Sequence, residues 1–277
     1  MTAAASIELG QYRITPVSDG TLATSIDVVL GLDRPVAQNL AGADPTGGIT
    51  IPVTSFLVQG PDGANVLIDA GSGTQMQATL GRLPDQLRAL GVGPEAITHI
   101  LLTHVHPDHA NGLIDEAGVA IFPNAELLIS TDEADFWQRA PRGPEPPNLV
   151  RQRARNTRNL APYLDRLRRV PDGGQALGFT AMLTPGHTPG HTCWRLDTPS
   201  GSLLSWGDIV HIASIQLARP DAGVTYDLDA ERARAARARI LDMVATDRLL
   251  VAGAHVTEPG LGAITRAGTG YRFEPIV

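Results

Sequence analysis

The chain has 277 residues and no lysine; all 22 of its basic residues are arginine. That excludes Schiff-base chemistry and any phosphate loop that needs a lysine. A single cysteine, Cys193, leaves neither an internal disulfide nor a cysteine-based zinc cluster available. No stretch approaches the ~18 to 20 apolar residues of a membrane-spanning helix. Residues 1–5 carry no positive charge and no apolar leader segment follows, so a cytoplasmic location is expected. Positive charge is also short overall. Against 29 acidic residues it leaves a net charge of −7 with neutral histidines, a poor balance for gripping a nucleic-acid backbone. Aromatic residues are only 4% of the chain, so each one near a cleft mouth is a candidate for substrate contact.

What is present is an ordinary globular balance, 43% hydrophobic and 18% charged, long enough to bury a sizeable core. Strand patterns occupy residues 12–17, 51–59, 65–69, 97–102 and 126–129, and again 181–184, 192–197, 202–205 and 249–251. Ser18-Asp19-Gly20 reads as a turn, and Gly60-Pro61-Asp62-Gly63 as the turn of a hairpin. Leucines at 80, 83, 87 and 90 have helical spacing, and Ala233, Ala236, Ile240 and Val244 form one face of a helix over 229–244, with Asp229 as its N-cap. Two strand-rich halves that each carry helices point to an α/β protein of two packed sheets with helices outside. With no linker or tandem repeat, residues 1–277 are expected to form a single domain.

Between Asp132 and Val170 nine arginines are only partly balanced by acids such as Asp132, Glu133, Asp135 and Glu145. Prolines 141, 144, 146 and 147 mark a loop between two helical pieces. Plain solvated surface is the first reading of this segment; a lid or an oligomer contact is the alternative.

Eight histidines are present, and three of them share a hexapeptide with an aspartate: His104-Val105-His106-Pro107-Asp108-His109. The run follows an apolar strand, so it sits on a loop at a strand end. In extended backbone His104 and His106 point the same way, while Asp108 and His109 on the ensuing turn can face a second point nearby. Two pairs of ligands aimed at two points suit a dinuclear metal site. Imidazole and carboxylate donors favour zinc, with iron, manganese or cobalt as alternatives.

The run from Thr103 to Gly112 resembles the signature of the metallo-β-lactamase superfamily, and further motifs follow in that family's order. Val66-Leu67-Ile68-Asp69-Ala70-Gly71 resembles the strand whose aspartate supports the metal loop. Thr184-Pro185-Gly186-His187-Thr188-Pro189-Gly190-His191-Thr192, Ser205-Trp206-Gly207-Asp208 and Gly253-Ala254-His255 resemble the later ligand motifs, at gaps of 78, 21 and 47 residues from His109 through His187 and Asp208 to His255. The resemblance implies a four-layer αβ/βα sandwich with the metals at one edge between two sheets. It implies His104, His106 and His187 on one ion, Asp108, His109 and His255 on the other, and Asp208 and a hydroxide bridging both. The activity it implies is attack of that hydroxide on an ester, lactone or phosphotriester of a small molecule, with Asp108 also able to pass a proton to the leaving group.

The stretch from Trp206 to Gln216 and the residues after His255 resemble the methyl parathion hydrolase-like branch, a neighbour of the N-acyl-homoserine lactonases. Lactonases place a tyrosine three residues after the bridging aspartate; here His211 stands there and is a candidate donor to a developing oxyanion. Asp69 and His191 are expected behind the ligands, His99 is given no role, and Cys193 is expected to be a buried inert thiol. Phe136, Trp137, Trp206 and Tyr226 are the aromatic candidates for the substrate pocket. A thioester hydrolase of glyoxalase II type is the alternative activity, and a diiron redox protein on the same fold the alternative of another class. Neither nucleic acid nor membrane is an expected partner, and a homodimer is left open.

Overall fold

The computed structural model describes residues 6–141 and 143–276. Residues 1–5, which bear on the expectation of no leader, and Arg142 of the arginine-rich segment lie outside the described residues. The first half of the chain supplies β1 (Ile7–Leu9), β2 (Tyr12–Ser25), β3 (Val29–Leu30), β4 (Gly48–Gln59), β5 (Asn65–Ile68), β6 (His99–Leu101), β7 (Glu126–Ser130) and β8 (Leu167–Val170). All but β3 form one sheet in the order β1-β2-β4-β5-β6-β7-β8, with β5 to β8 parallel. The second half supplies β9 (Gln175–Ala176), β10 (Phe179–Leu183), β11 (Thr192–Thr198), β12 (Gly201–Ser205), β13 (Gly223–Val224), β14 (Leu250–Ala252), β15 (Leu261–Ala267) and β16 (Gly270–Pro275). All but β13 form a second sheet, in the order β16-β15-β14-β12-β11-β10-β9, in which β12 and β14 run parallel. Between the strands run α1 (Arg34–Ala41), α2 (Leu83–Ala89), α3 (Pro107–Ala110), α4 (Thr131–Gln138), α5 (Pro147–Leu160), α6 (Ala213–Gln216) and α7 (Ala230–Asp247). Among the described residues no helix is long and apolar enough to cross a membrane.

Side-chain alternation along the strands builds four layers. Leu67, Ile100, Leu127 and Ile129 face outward and pack under Leu83 and Leu87 of α2, Ala134 and Trp137 of α4 and Leu160 of α5. Their neighbours Val66, Ile68, Leu101 and Leu128 face inward and meet Ala181, Trp194, Leu196, Leu203 and Ala252 of the second sheet. On the far side of that sheet Cys193, Leu204, Val251 and Ile264 lie against Ala236, Ile240, Leu241 and Val244 of α7. Strands covered on both faces read as unbroken apolar runs, which is why the central strands show no alternation of polarity. The expected two-sheet sandwich flanked by helices is what the chain forms. A smaller apolar cluster, with Ile26, Ala37, Ile51, Ile212, Ile215 and Val224, ties α1, α6 and the β3–β13 ribbon together.

Helix α7 forms as its pattern requires: Asp229 accepts the Arg232 N–H at 3.0 Å, and the helix stops where Arg248 turns left-handed at φ +55°. Two expectations need correction. Ser18-Asp19-Gly20 is no turn; it is a bulge inside β2, where the pairing with β4 shifts register. Gly20 takes up the irregularity at φ +127°, and buried Asp19 accepts the N–H groups of Ser72 and Leu83, pinning the 70–83 loop. Turn-type residues mark a bulge equally well. The helix of 80–90 shrinks to Leu83–Ala89, because Gly81 at φ +82° ends the preceding loop and Pro84 opens the first turn. The arginine-rich segment does hold two helices about a proline loop, but its last residues, Leu167–Val170, are edge strand β8.

Candidate metal centre

Each candidate ligand stands just past the C-terminal end of a strand. Asp69 follows β5, residues 103–109 follow β6, His187 follows β10, Asp208 follows β12 and His255 follows β14. Both sheets therefore aim their strand ends at one place, where loops can converge on a ligand while the strands stay fixed.

The side chains converge in two groups. In one, His104 Nε2 and His187 Nε2 are 3.1 Å apart, His106 Nδ1 and His187 Nε2 2.7 Å, and Asp208 Oδ2 lies 3.5 Å from His104 and 3.0 Å from His187. In the other, Asp208 Oδ1 lies 2.9 Å from His109 Nε2 and 3.1 Å from His255 Nε2, and Asp108 Oδ2 lies 3.4 Å from His255 Nε2. The two oxygens of Asp208 thus face different clusters.

Acceptors behind the rings decide which nitrogen faces inward. Asp69 Oδ2 lies 2.7 Å from His109 Nδ1, Asp227 Oδ1 3.0 Å from His187 Nδ1 and the Pro52 carbonyl 2.8 Å from His255 Nδ1. Thr103 Oγ1 donates to Asp69 and so accepts from His104 Nδ1 at 3.1 Å. Each acceptor takes the ring proton, a tautomer assigned from these partners, and leaves an Nε2 lone pair pointing into the cluster. Lone pairs 3 Å apart repel unless positive charge lies among them. Among the described residues, buried His109 Nε2, His255 Nε2 and Asp208 Oδ1 also have no hydrogen-bond partner. Imidazoles and carboxylates so arranged fit divalent first-row cations.

The local field favours cations too. Burial alone would raise the Asp208 carboxyl, but His109, His211, His255 and His104 hold it well below the usual range. Burial works against an imidazolium at His187, yet Asp208 and Asp227 lift that residue to about 9. His109, equally buried, is carried well above its usual value by Asp208, Asp69 and Asp108. His191 goes the other way, to about 3, because burial and the charge of His187 both disfavour its protonation. Neutral, it accepts the backbone N–H of Asp208 at 3.0 Å and meets Thr184 Oγ1 through Nδ1 at 2.7 Å. His191 therefore orients the loop of Asp208.

Above these groups opens a cleft of about 440 Å³. Its floor includes His106, Asp108, His187, Asp208, His211 and His255; its rim includes Leu22, Ile51, Met76, Tyr226 and Leu228. Asn148 and Gln152 of α5 line one side, so the arginine-rich segment contributes a wall. His211 Nε2 approaches Asp208 Oδ2 to 3.0 Å without hydrogen-bond alignment, and its loop is held by Gln216, whose Oε1 accepts the His211 N–H at 2.7 Å. Of the four aromatic candidates Tyr226 lines the cleft, with its hydroxyl 2.7 Å from Thr24 Oγ1. The other three do not: Phe136 and Trp137 pack in the core under α4, and Trp206 is buried beneath α7. His99 lies apart, near Thr98 and Glu126, and Cys193 is buried with its thiol pushed up to about 12 by desolvation.

Sequence reasoning missed Asp227 and Glu133. Asp227 belongs to no spaced motif; its only signal is the neighbouring Tyr226. Glu133 counts as a surface counter-charge in the sequence, but it is fully buried, and desolvation raises its carboxyl despite four hydrogen-bond donors. Ser130 three residues earlier reads as a capping box. Ser130 does cap α4, accepting the Glu133 N–H at 3.1 Å, while the Glu133 carboxylate points away to the ligand loops.

A model of the metallo-β-lactamase superfamily matches residues 48–255. A solved structure described as hydrolase AbOPH in the β-lactamase superfamily superposes with a TM-score of 0.94 at 31% identity, covering 100% of this chain and 98% of that one. AidC, a dizinc quorum-quenching lactonase solved with a product, superposes with a TM-score of 0.90 at 26% identity, covering 99% of this chain and 98% of that one. The metallo-β-lactamase domain-containing protein 1 of Xenopus laevis is 30% identical over 182 residues, 64% of this chain. The matches span 60% of the length of that protein and of YobT from Bacillus subtilis.

Proposed function

The chain belongs to the metallo-β-lactamase superfamily, and on that premise we propose that it is a single-domain, metal-dependent hydrolase of small uncharged esters, lactones or phosphotriesters. In this reading His104, His106 and His187 would hold one divalent cation and Asp108, His109 and His255 a second, with Asp208 offering one oxygen to each cluster; zinc suits the donors best, with iron, manganese or cobalt as alternatives. The observation that carries the reading is the two-sided Asp208, with one oxygen in each cluster. Such cations, when bound, supply activation of water at neutral pH and polarisation of the scissile oxygen.

The remaining work falls to side chains. His211, on the cleft floor three residues past Asp208, donates a hydrogen bond to the oxygen on which charge develops. Asp108 is the site carboxylate that reaches the open cleft, with its side chain 13% exposed against 3% for Asp208. It is therefore placed to take up the proton that the attacking water gives up and to pass it to the leaving group; cation ligation would lower its basicity and so its capacity to accept that proton. Leu22, Ile51, Met76 and Leu228 give the substrate an apolar resting place and keep water off one side of it. No arginine stands among the described lining residues, and the floor carries carboxylates. That disfavours anionic substrates, including the glutathione thioesters of the glyoxalase II alternative. The test pairs elemental analysis of protein purified without chelator with a screen of aryl esters, γ- and δ-lactones and organophosphate triesters. Two metals per chain and turnover of the uncharged substrates are expected. Full activity with one metal, or preference for a glutathione thioester, would overturn the reading.

A further inference from the structure

Glu133 makes four buried contacts, and they fall on two different loops. Its Oε1 accepts the backbone N–H of Val105 at 3.0 Å and the indole N–H of Trp137 at 2.7 Å. Its Oε2 accepts the Thr188 hydroxyl at 2.6 Å and the backbone N–H of Gly190 at 3.1 Å. Val105 lies between His104 and His106; Thr188 and Gly190 follow His187. The same loop is docked on the first turn of α4 in two further ways. Ser130 Oγ donates to the Gly190 carbonyl at 2.6 Å, and a side chain at Gly190 would collide with the Glu133 backbone nitrogen.

We infer that Glu133 is a positioning residue for one half of the metal centre: it locks the loop of His104 and His106 against the loop of His187. This rests on the reading that these histidines hold a cation. Asp108, His109 and His255 gain nothing directly from it, because Asp69 and the Pro52 carbonyl brace His109 and His255 instead. Glu133 thus contacts the loops of one half alone, while Asp69 braces His109 and also reaches His104 through Thr103. Only a carboxylate serves at position 133. All four partners are donors, and an amide offers one accepting atom and one donating atom. Turned one way, the amide that E133Q introduces would set its NH₂ against Val105 N–H and the indole; turned the other, against Gly190 N–H. In either orientation one loop is released.

Glu133→Gln is therefore placed in two backgrounds, His255→Ala and His106→Ala, and zinc affinity is read by competition with a chromophoric chelator. In His255→Ala, where the half braced by Glu133 remains, E133Q should weaken zinc by about 10- to 100-fold, the range for residues that orient ligands. In His106→Ala the remaining zinc should change less than about threefold, a non-additivity that isolates the coupling. Leu241→Ala, a cavity in the core under α7, serves as the control for general destabilisation and should leave zinc affinity as it was. Thr188→Val, which removes a single one of the four bonds, should shift affinity in the same direction by less, and it carries the test if E133Q fails to fold. Equal losses in both backgrounds, no loss in His255→Ala, or an equal loss in Leu241→Ala would each overturn the inference. So would a His255→Ala chain that holds no zinc, because the two halves must then be interdependent. A parent chain that takes up no zinc overturns the metal reading itself, whereas a parent with two zinc ions and an indifferent E133Q overturns only the role of Glu133.

Discussion

On the floor of the cleft, inward-pointing histidines are braced from behind by buried acceptors: Asp69, Asp227, Thr103 and the Pro52 carbonyl. On the rim, Met76 and Leu22 are half-buried and Leu228 is 39% exposed; side-chain bonds there run from Tyr226 to Thr24 and between Gln77 and Ala23, while Leu22 and Ile51 are held through their paired strands and Leu228 through its N–H on the His187 carbonyl. The floor is made of short loops at strand ends, where a displacement would leave buried polar groups unpaired at about 1–3 kcal/mol each. Apart from buried Ile51, the rim's apolar side chains, Leu22, Met76 and Leu228, have no polar partner to lose when they shift. The contrast assigns chemistry to the floor and selection to the rim.

Asp208→Asn puts the most weight on this division. It keeps the shape and removes the charge that faces both clusters, so at least one metal should be lost and turnover should fall by roughly a thousandfold or more. Metal analysis of the purified variant checks it; two tightly held ions with a modest rate loss would show that Asp208 only orients its neighbours. His211→Phe comes next. Loss of an oxyanion donor should lower kcat by about 100-fold with little change in KM and no change in metal content. If KM moves instead, His211 belongs with the rim. Asp69→Asn should cost about 10- to 100-fold in metal affinity, read by chelator competition, because it loosens His109 from behind.

Met76→Ala combined with Leu228→Ala should raise KM by only a few fold for substrates with apolar substituents and leave kcat alone, since about 1 kcal/mol of apolar contact is at stake. A kcat loss as large as that of Asp69→Asn would erase the distinction between floor and rim. Smallest of all, His99→Asn should leave metal content and steady-state rates unchanged, because His99 sits among Thr98 and Glu126, away from the cleft.

How much of this was legible beforehand follows the same line. Four of the clustered side chains, His104, His106, Asp108 and His109, lie within six residues, so their spacing alone announces a ligand loop. His187, Asp208 and His255 were reached through the resemblance of their surroundings, in order along the chain, to the motifs of the metallo-β-lactamase superfamily. The two sheets and the helix over 229–244 followed from apolar runs and periodicity. Of the braces, Asp69 and His191 were legible because they sit in motifs of their own, whereas Glu133 and Asp227 were not, because they come from far away with no motif around them: Glu133 reaches Thr188 across 55 positions and Asp227 reaches His187 across 40. A carboxylate in an acidic first turn looks the same in sequence whether it faces solvent or core. Trp206 misled because an aromatic beside a ligand motif can line a cleft or back its wall, and Trp137 because its sequence neighbourhood does not tell which face of α4 is buried. Ser18-Asp19-Gly20 has a turn's composition, and only pairing with β4 decides that the strand continues through it.

The placement of the candidate ligands at the ends of strands from both sheets bears on the order in which the molecule assembles. Residues 104–109 follow β6 of the first sheet, while His187, Asp208 and His255 follow β10, β12 and β14 of the second. Neither sheet alone collects a full set, and the parallel pairings β5–β8 and β12–β14 must close long stretches of chain before they form. The centre therefore exists only after the sheets have docked. An ion held there would act late, as a latch across the sheet interface: it would slow the parting of the two halves far more than it hastens their meeting, and its contribution would be read in the unfolding rate.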